Sequence, residues 1–233
     1  MSERLHTLTE SNLISGNEEW EKQKHEIEPE FFAAQVAPSQ APTFLWIGCS
    51  DSRVAEATIT GLGPGVIFVQ RNIANQFLPE DTNALSVLAY AVDVLKVPYV
   101  VVVGHTDCGG ARASLGAAQR EGFDPADRPV MTLPDEDPDA PLNRWLASQT
   151  LLAYSLQSSD KPHNHSDPLA RLTEENVLMQ IDNICNTETV KKAWAKRSTG
   201  GGNGPTLKAV AGYIYDIEAG KLRKIEGSAR YPF

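Results

Sequence analysis

Two short segments concentrate the reactive side chains of this chain. Cys49-Ser50-Asp51-Ser52-Arg53 directly follows an apolar stretch, Thr43–Gly48, and His105-Thr106-Asp107-Cys108-Gly109-Gly110 directly follows another, Tyr99–Gly104. Two thiols and an imidazole form a soft donor set that suits Zn2+, and three protein donors leave one tetrahedral position to solvent. The H-x-x-C spacing lets His105 and Cys108 turn toward one point from a single loop, while Cys49 would arrive from a neighbouring strand. If Gly109 and Gly110 open a helix, Cys108 lies at the positive end of its dipole, which favours thiolate. Asp51 and Arg53 lie just beyond the first donor. An arginine fork orients a carboxylate and keeps it ionised, so that it can accept a hydrogen bond from a metal-bound water. Plainer readings compete: ordinary buried residues gathered at strand ends, and a loop-stabilising ion pair without a chemical role.

The other candidates carry less. No C-x-x-C occurs, which weighs against a redox pair. Cys185 falls among Val177, Leu178, Ile181 and Ile184 and reads as core packing. His163 and His165 flank Asn164 in a polar stretch that imitates a metal pair but reads as solvated surface, and His6 and His25 carry no signal.

Composition narrows the classes. With 41% apolar and 22% charged residues, the chain has globular composition and is not largely disordered. Its 21 basic and 30 acidic residues give a net charge of −9, which disfavours nucleic acid and anionic membrane as partners. No apolar run approaches a membrane span, and residues 1–20 lack the apolar core of a targeting segment. Three cysteines in 233 residues are too few for a disulfide framework, so a reducing, cytoplasmic setting is expected.

The elements that must position the two segments follow from periodicity. A helix is expected from Glu18 to about Gln35, with a thin apolar stripe of Trp20, Ile27 and Phe31 suited to the core or to a partner subunit. Residues 1–15 read as a tail. Thr43–Gly48 and Val66–Val69 read as short strands; Gly61-Leu-Gly-Pro-Gly65 between them lacks the residues of a P-loop and reads as a turn. Asn83–Lys96 is helical, with Ala84, Leu85, Leu88, Ala91, Val92 and Leu95 on one face and Asp81 or Thr82 as cap. Four consecutive valines in Tyr99–Gly104 suit the middle of a parallel sheet covered on both faces. Residues 119–141 hold five prolines and seven acidic side chains and are expected to form an exposed or flexible insertion. Helices return at Pro141–Leu156 and, in two pieces, over Thr173–Lys196. A glycine hinge at Gly200–Gly204 then precedes strands at Leu207–Asp216 and near Lys221–Ile225. The fold class is α/β: one domain over 1–233, with a mostly parallel central sheet flanked by helices.

Taken together, Cys49-Ser-Asp-Ser-Arg53, Gly104-His-Thr-Asp-Cys-Gly-Gly110, Arg71-Asn-Ile-Ala-Asn75 and Tyr90-Ala-Val-Asp-Val-Leu-Lys96 resemble the β-class carbonic anhydrases, closely over about Gln40–Gly116. The resemblance implies one Zn2+ per subunit on Cys49, His105 and Cys108, with Asp51 and Arg53 as a catalytic dyad. It implies Gln40 as a hydrogen-bond donor to substrate, Gly109 as a further substrate contact, and Phe68, Ile73 and Tyr90 as the carbon dioxide pocket. Ile73 stands where relatives often carry valine. Gly48 before Cys49, with Trp46, Arg71 and Tyr215, is similar to the bicarbonate-sensitive branch, in which these side chains form a non-catalytic bicarbonate pocket; simple packing is the alternative for Trp46 and Tyr215. Pocket walls shared between subunits imply a dimer or a dimer of dimers.

The implied reaction is reversible hydration of carbon dioxide to bicarbonate by zinc-bound hydroxide. Two thiolates neutralise the metal, so the bound water should be less acidic than on a tris-histidine site, and activity should rise with pH. If Asp51 took the fourth position, catalysis would stop; Arg53 opposes this by competing for the carboxylate. Hydrolysis of carbon disulfide or carbonyl sulfide on the same scaffold, and a non-enzymatic zinc-stabilised binding module, are the alternatives.

Overall fold

The strands that end in the two reactive segments are neighbours in one five-stranded sheet. The computed structural model describes residues 8–36, 39–159, 165–195 and 206–232. Five strands form the sheet: β1 (Phe44–Cys49), β2 (Ile67–Asn72), β3 (Tyr99–His105), β4 (Ala209–Asp216) and β5 (Lys221–Lys224). β1 pairs in parallel with both β2 and β3, β3 pairs in parallel with β4, and only β5 runs antiparallel. Strands β1 and β3 are therefore adjacent and point the same way, so Cys49 and His105 end them at the same edge of the sheet. Ligand crevices in open parallel sheets form at that carboxyl edge.

The valine run behaves as its composition requires. Val100 and Val102 join Leu45, Ile47, Val210 and Ile214 in the main core, against Leu88, Ala91 and Val92 and against Val177, Ile181 and Ile184. Val101 and Val103 point to the opposite face, where they cluster with Trp46. Trp46 also explains Gly48: a Cβ there would lie 2.3 Å from the indole Nε1, so only glycine lets the ring lie along the strand.

The helices are α1 (Ser11–Ile27), α2 (Phe31–Val36), α3 (Glu56–Thr60), α4 (Thr82–Ala89), α5 (Gly109–Ala118), α6 (Pro141–Gln157), α7 (Pro168–Cys185) and α8 (Glu188–Ala195). Several depart from expectation. The single helix expected from Glu18 to Gln35 is two helices, and the first begins earlier, at Ser11. Pro29 is the cause of the break: it pushes Glu28 to φ −144°, ψ 82°, out of the helical region. Residues up to Gln40 and residues from Ala41 onward form two compact units, and the second holds the whole sheet of the single α/β domain. In that first unit Trp20, Phe31 and Phe32 pack edge to face on one another, and α1 buries no residue.

The helix capped by Asp81 ends its α-helical geometry at Ala89 and continues as a π turn over Tyr90–Val94, with Leu95 N–H donating to Tyr90 C=O at 2.9 Å. Ala91 and Val92 stay buried while Tyr90 reaches the surface. The acidic segment also differs from expectation. It has no helix or strand, yet Val130 and Thr132 are buried, and Asn143 holds both the N–H and the C=O of Leu133 at 2.7 and 3.2 Å. Thr132 and Thr150 hydroxyls meet at 2.7 Å. The insertion is thus pinned to α6 by polar side chains that apolar periodicity does not reveal. The glycine hinge Gly200–Gly204 lies outside the described residues, as do His6, His163 and Asn164.

Candidate metal centre

Cys49, His105 and Cys108 come together with their donor atoms within 4.8 Å of one another, all three residues buried. β1 delivers Cys49, β3 delivers His105, and Cys108 caps α5 with extended backbone, φ −67°, ψ 122°. Between the last two, Asp107 has φ +58°, the left-handed turn that folds Cys108 back toward His105.

The donor set fits a metal on an observation independent of spacing. His105 Nδ1 contacts Thr106 C=O at 2.9 Å, which fixes the ring, while Nε2 is buried with no hydrogen-bond partner. A buried imidazole nitrogen with its other nitrogen on a carbonyl is the arrangement of a metal ligand. Two buried thiols beside it complete a Cys2His set suited to Zn2+.

Charge at the sulfurs follows from their neighbours. A hydrogen bond from Cys108 draws Cys49 down to about 4; burial opposes this, and His105 and the N–H groups of Asp51 and Ala74 reinforce it. Sharing that proton pushes Cys108 upward, while the N–H groups of Gly110 and Ala111 at the start of α5 pull the other way, as a helix N-terminus should. Burial disfavours the charged form of His105, but the nearby Cys49 sulfur and the charge it carries outweigh this and raise it. Metal binding would displace the shared protons.

The dyad forms beside this cluster. Arg53 Nε and Nη2 donate to the two oxygens of Asp51 at 3.0 and 2.7 Å, and the Arg53 N–H donates to the same carboxylate at 2.9 Å. This grip lowers Asp51 to about 2 and raises Arg53 above its usual range. Asp51 Oδ2 lies 3.9 Å from His105 Nε2. The carboxylate is thus next to the donors but held by Arg53.

The remaining candidates divide. Phe68 and Tyr90 stack with centroids 5.8 Å apart, and Ile73 and Tyr90 are exposed. Gly109 opens α5 with free space at its Cα. Arg71 donates to Cys49 C=O at 2.8 Å and Asp51 C=O at 2.6 Å, so here it braces the end of β1. By register, Trp46, Arg71 and Tyr215 share one sheet face. Gln40 belongs to the N-terminal unit. Cys185 packs against the main core, and burial pushes its thiol up to about 12. His165 is not free surface: its Nε2 lies 3.1 Å from Glu174.

Periodicity missed the support of the 73–77 turn. Ala74 adopts φ +62°, and Trp145 Nε1 donates to Ile73 C=O at 2.9 Å. From α7, Asn176 donates to Ala74 C=O at 3.0 Å and Gln180 accepts from Phe77 N–H at 3.0 Å. Two amides at i and i+4 on the buried face of α7, among Leu172, Val177, Ile181 and Ile184, were the available signal. Gly110 lets α5 approach this turn; a Cβ there would lie 2.9 Å from Ala74 Cβ.

A mostly parallel sheet with a buried Cys2His cluster at its strand tips and a clamped carboxylate beside it defines a metalloenzyme of the open α/β type. Residues 44–222 match the family model described as carbonic anhydrase. The carbonic anhydrase of Emericella nidulans is 32% identical over 218 residues, covering 93% of this chain and 83% of that protein. Tetrameric β-carbonic anhydrases of the ascomycete Sordaria macrospora superpose with a TM-score of 0.74 at 32% identity, over 94% of this chain and 98% of theirs. The Coccomyxa β-carbonic anhydrase, solved in complex with acetazolamide, gives 0.74 at 31% identity, over 94% and 87%. This chain belongs to the carbonic anhydrase family and, within it, to the β class.

Proposed function

We propose that this chain catalyses the reversible hydration of carbon dioxide to bicarbonate and a proton, with Asp51 and Arg53 as its proton-handling and orienting pair. The observation that carries this reading is the buried orphan nitrogen of His105 converging with Cys49 and Cys108 beside a clamped carboxylate. Bound there, Zn2+ would act as a Lewis acid that lowers the pKa of water, though less than a tris-histidine site does.

Asp51, kept ionised by Arg53, accepts a hydrogen bond at one oxygen and so orients whatever donor stands next to His105. Arg53 also prevents that carboxylate from becoming a ligand itself. Phe68, Ile73 and Tyr90 offer an apolar wall for an uncharged substrate, and Gly109 leaves room for its approach. Gln40 enters this reading through its motif position and would hold a substrate oxygen. Trp46, Arg71 and Tyr215 stand as a bicarbonate-sensing group, supported by their common sheet face.

The working unit is a homo-oligomer, a dimer or a dimer of dimers, consistent with the exposed Ile73 and Tyr90 and with the tetrameric Sordaria relatives. Among the described residues no helix is long and apolar enough to cross a membrane. Three free cysteines suit the reducing cytoplasm.

Stopped-flow hydration of carbon dioxide across pH, with and without a zinc chelator, tests the reading. Chelator-sensitive activity that rises with pH is expected. Zinc-loaded protein with no activity above the uncatalysed rate would refute it.

A further inference from the structure

Arg53 is held on two edges, and the dyad accounts for only one. Beyond its bonds to Asp51, Nη1 donates to Asp107 Oδ2 at 3.3 Å, and Nη2 reaches the Asp107 carbonyl at 3.4 Å. Asp107 is gripped in turn by Arg112, from the first turn of α5. Alternating charges therefore run Arg112–Asp107–Arg53–Asp51, and the last lies beside His105 Nε2.

Asp107 also stands between two metal donors. The left-handed backbone that brings Cys108 back toward His105 aims its carboxylate at Arg53. Arg53 leaves 46% of its side chain exposed, and a lone pair of that kind loses most of its strength to water and rotamer freedom. A second carboxylate on the outer edge removes much of that freedom, because the guanidinium is a planar fork that can satisfy both acids at once.

We propose that Asp107 is a positioning residue for the Asp51–Arg53 pair: braced by Arg112, it fixes the outer edge of the Arg53 guanidinium and so keeps Asp51 on Arg53 and away from the metal. The inference rests on the functional reading above and deepens it, since the loop that carries two metal donors also restrains the carboxylate that competes with solvent for the metal. The contrary geometry, in which Asp107 draws Arg53 off Asp51, predicts effects of opposite sign.

Asp107→Asn and Asp107→Gly both tolerate the left-handed backbone, and Arg112→Gln lies outside the loop. In Co2+-substituted protein, thiocyanate binding followed by visible absorption reads whether a coordination position is accessible. Asp107→Gly should weaken thiocyanate binding and lower kcat for hydration about two- to fivefold, the range of an exposed ion pair, with KM and metal content nearly unchanged. Arg112→Gln should give a smaller change of the same sign. On an Arg53→Ala background, Asp107→Gly should add nothing, because Asp107 acts through Arg53. Unchanged or tighter thiocyanate binding in Asp107→Gly and Arg112→Gln, or full additivity with Arg53→Ala, would overturn the proposal. Wild-type protein without hydration activity, but with the same Co2+ response to the variants, would overturn the functional reading and leave this one standing.

Discussion

Cys49, His105 and Cys108 are buried, whereas Arg53, from the loop just past Cys49, keeps nearly half its side chain in solvent. The two regions touch, yet they are built differently. The cluster comes from strand tips and a helix start packed into the core, and its donors already lie close together. The dyad comes from a surface loop and is held by charge-assisted hydrogen bonds alone. A ligand set gains from burial, since water competes for the metal; a pair with the proposed proton-handling role needs access to water and the ability to exchange partners. The contrast places tight binding and adjustable chemistry within a few ångströms of each other.

Removing a donor should break the buried side of this contrast outright. Cys49→Ser or Cys108→Ser is expected to lower zinc occupancy and hydration activity by more than about a hundredfold, since loss of even an outer-sphere partner costs ten- to a hundredfold. Metal analysis alongside stopped-flow rates measures both. On the exposed side, Asp51→Asn should lower kcat about a hundredfold with zinc retained, the size of a lost proton-transfer group. Arg53→Ala should free Asp51, so the visible spectrum of the Co2+-substituted variant should lose the pH dependence that the parent shows.

Acid separates the two regions in another way. Asp51 takes up its proton near pH 2 when folded but near 3.8 in the unfolded chain, so the unfolded state binds protons first as pH falls. Its contribution to stability is therefore present above about pH 4 and is lost as pH drops toward 2. Protonation of the thiolates and His105 should release zinc as acid is added. Chelator-dye release and denaturant melts against pH should then show metal loss with Asp51 still ionised; zinc retained through the Asp51 transition would contradict this order.

Packing effects should be smaller. Gly110→Ala forces a Cβ against Ala74 and is expected to cost about 1–3 kcal/mol, as overpacking does, read as a lower melting temperature. Trp145→Phe removes one hydrogen bond to Ile73 C=O and should cost about 1 kcal/mol.

Much of this was legible in the residue pattern where the pattern reports a local preference. The valine run, the Asp81 cap and the stop at Pro98 located β3 and α4 because burial on both faces and capping leave local marks. The donors were legible because they sit at or just past the ends of buried apolar runs. The break at Pro29 was also written in the chain and was missed, because the apolar stripe spans it. The π turn at Tyr90 was not legible: adding one residue to a helical turn leaves apolar spacing almost unchanged.

Residue order alone pointed to a soft three-donor set, a carboxylate two residues from an arginine, and strands suited to a covered parallel sheet, because these depend on neighbours in the chain. Only the folded molecule put β1 next to β3, turned His105 Nε2 toward two sulfurs, tied the acidic insertion to α6 and set Asp107 against Arg53. Those are contacts between segments distant in sequence. Their geometry depends on sheet order, on a left-handed turn at Asp107 and on buried amides from α7, none of which a one-dimensional periodicity records.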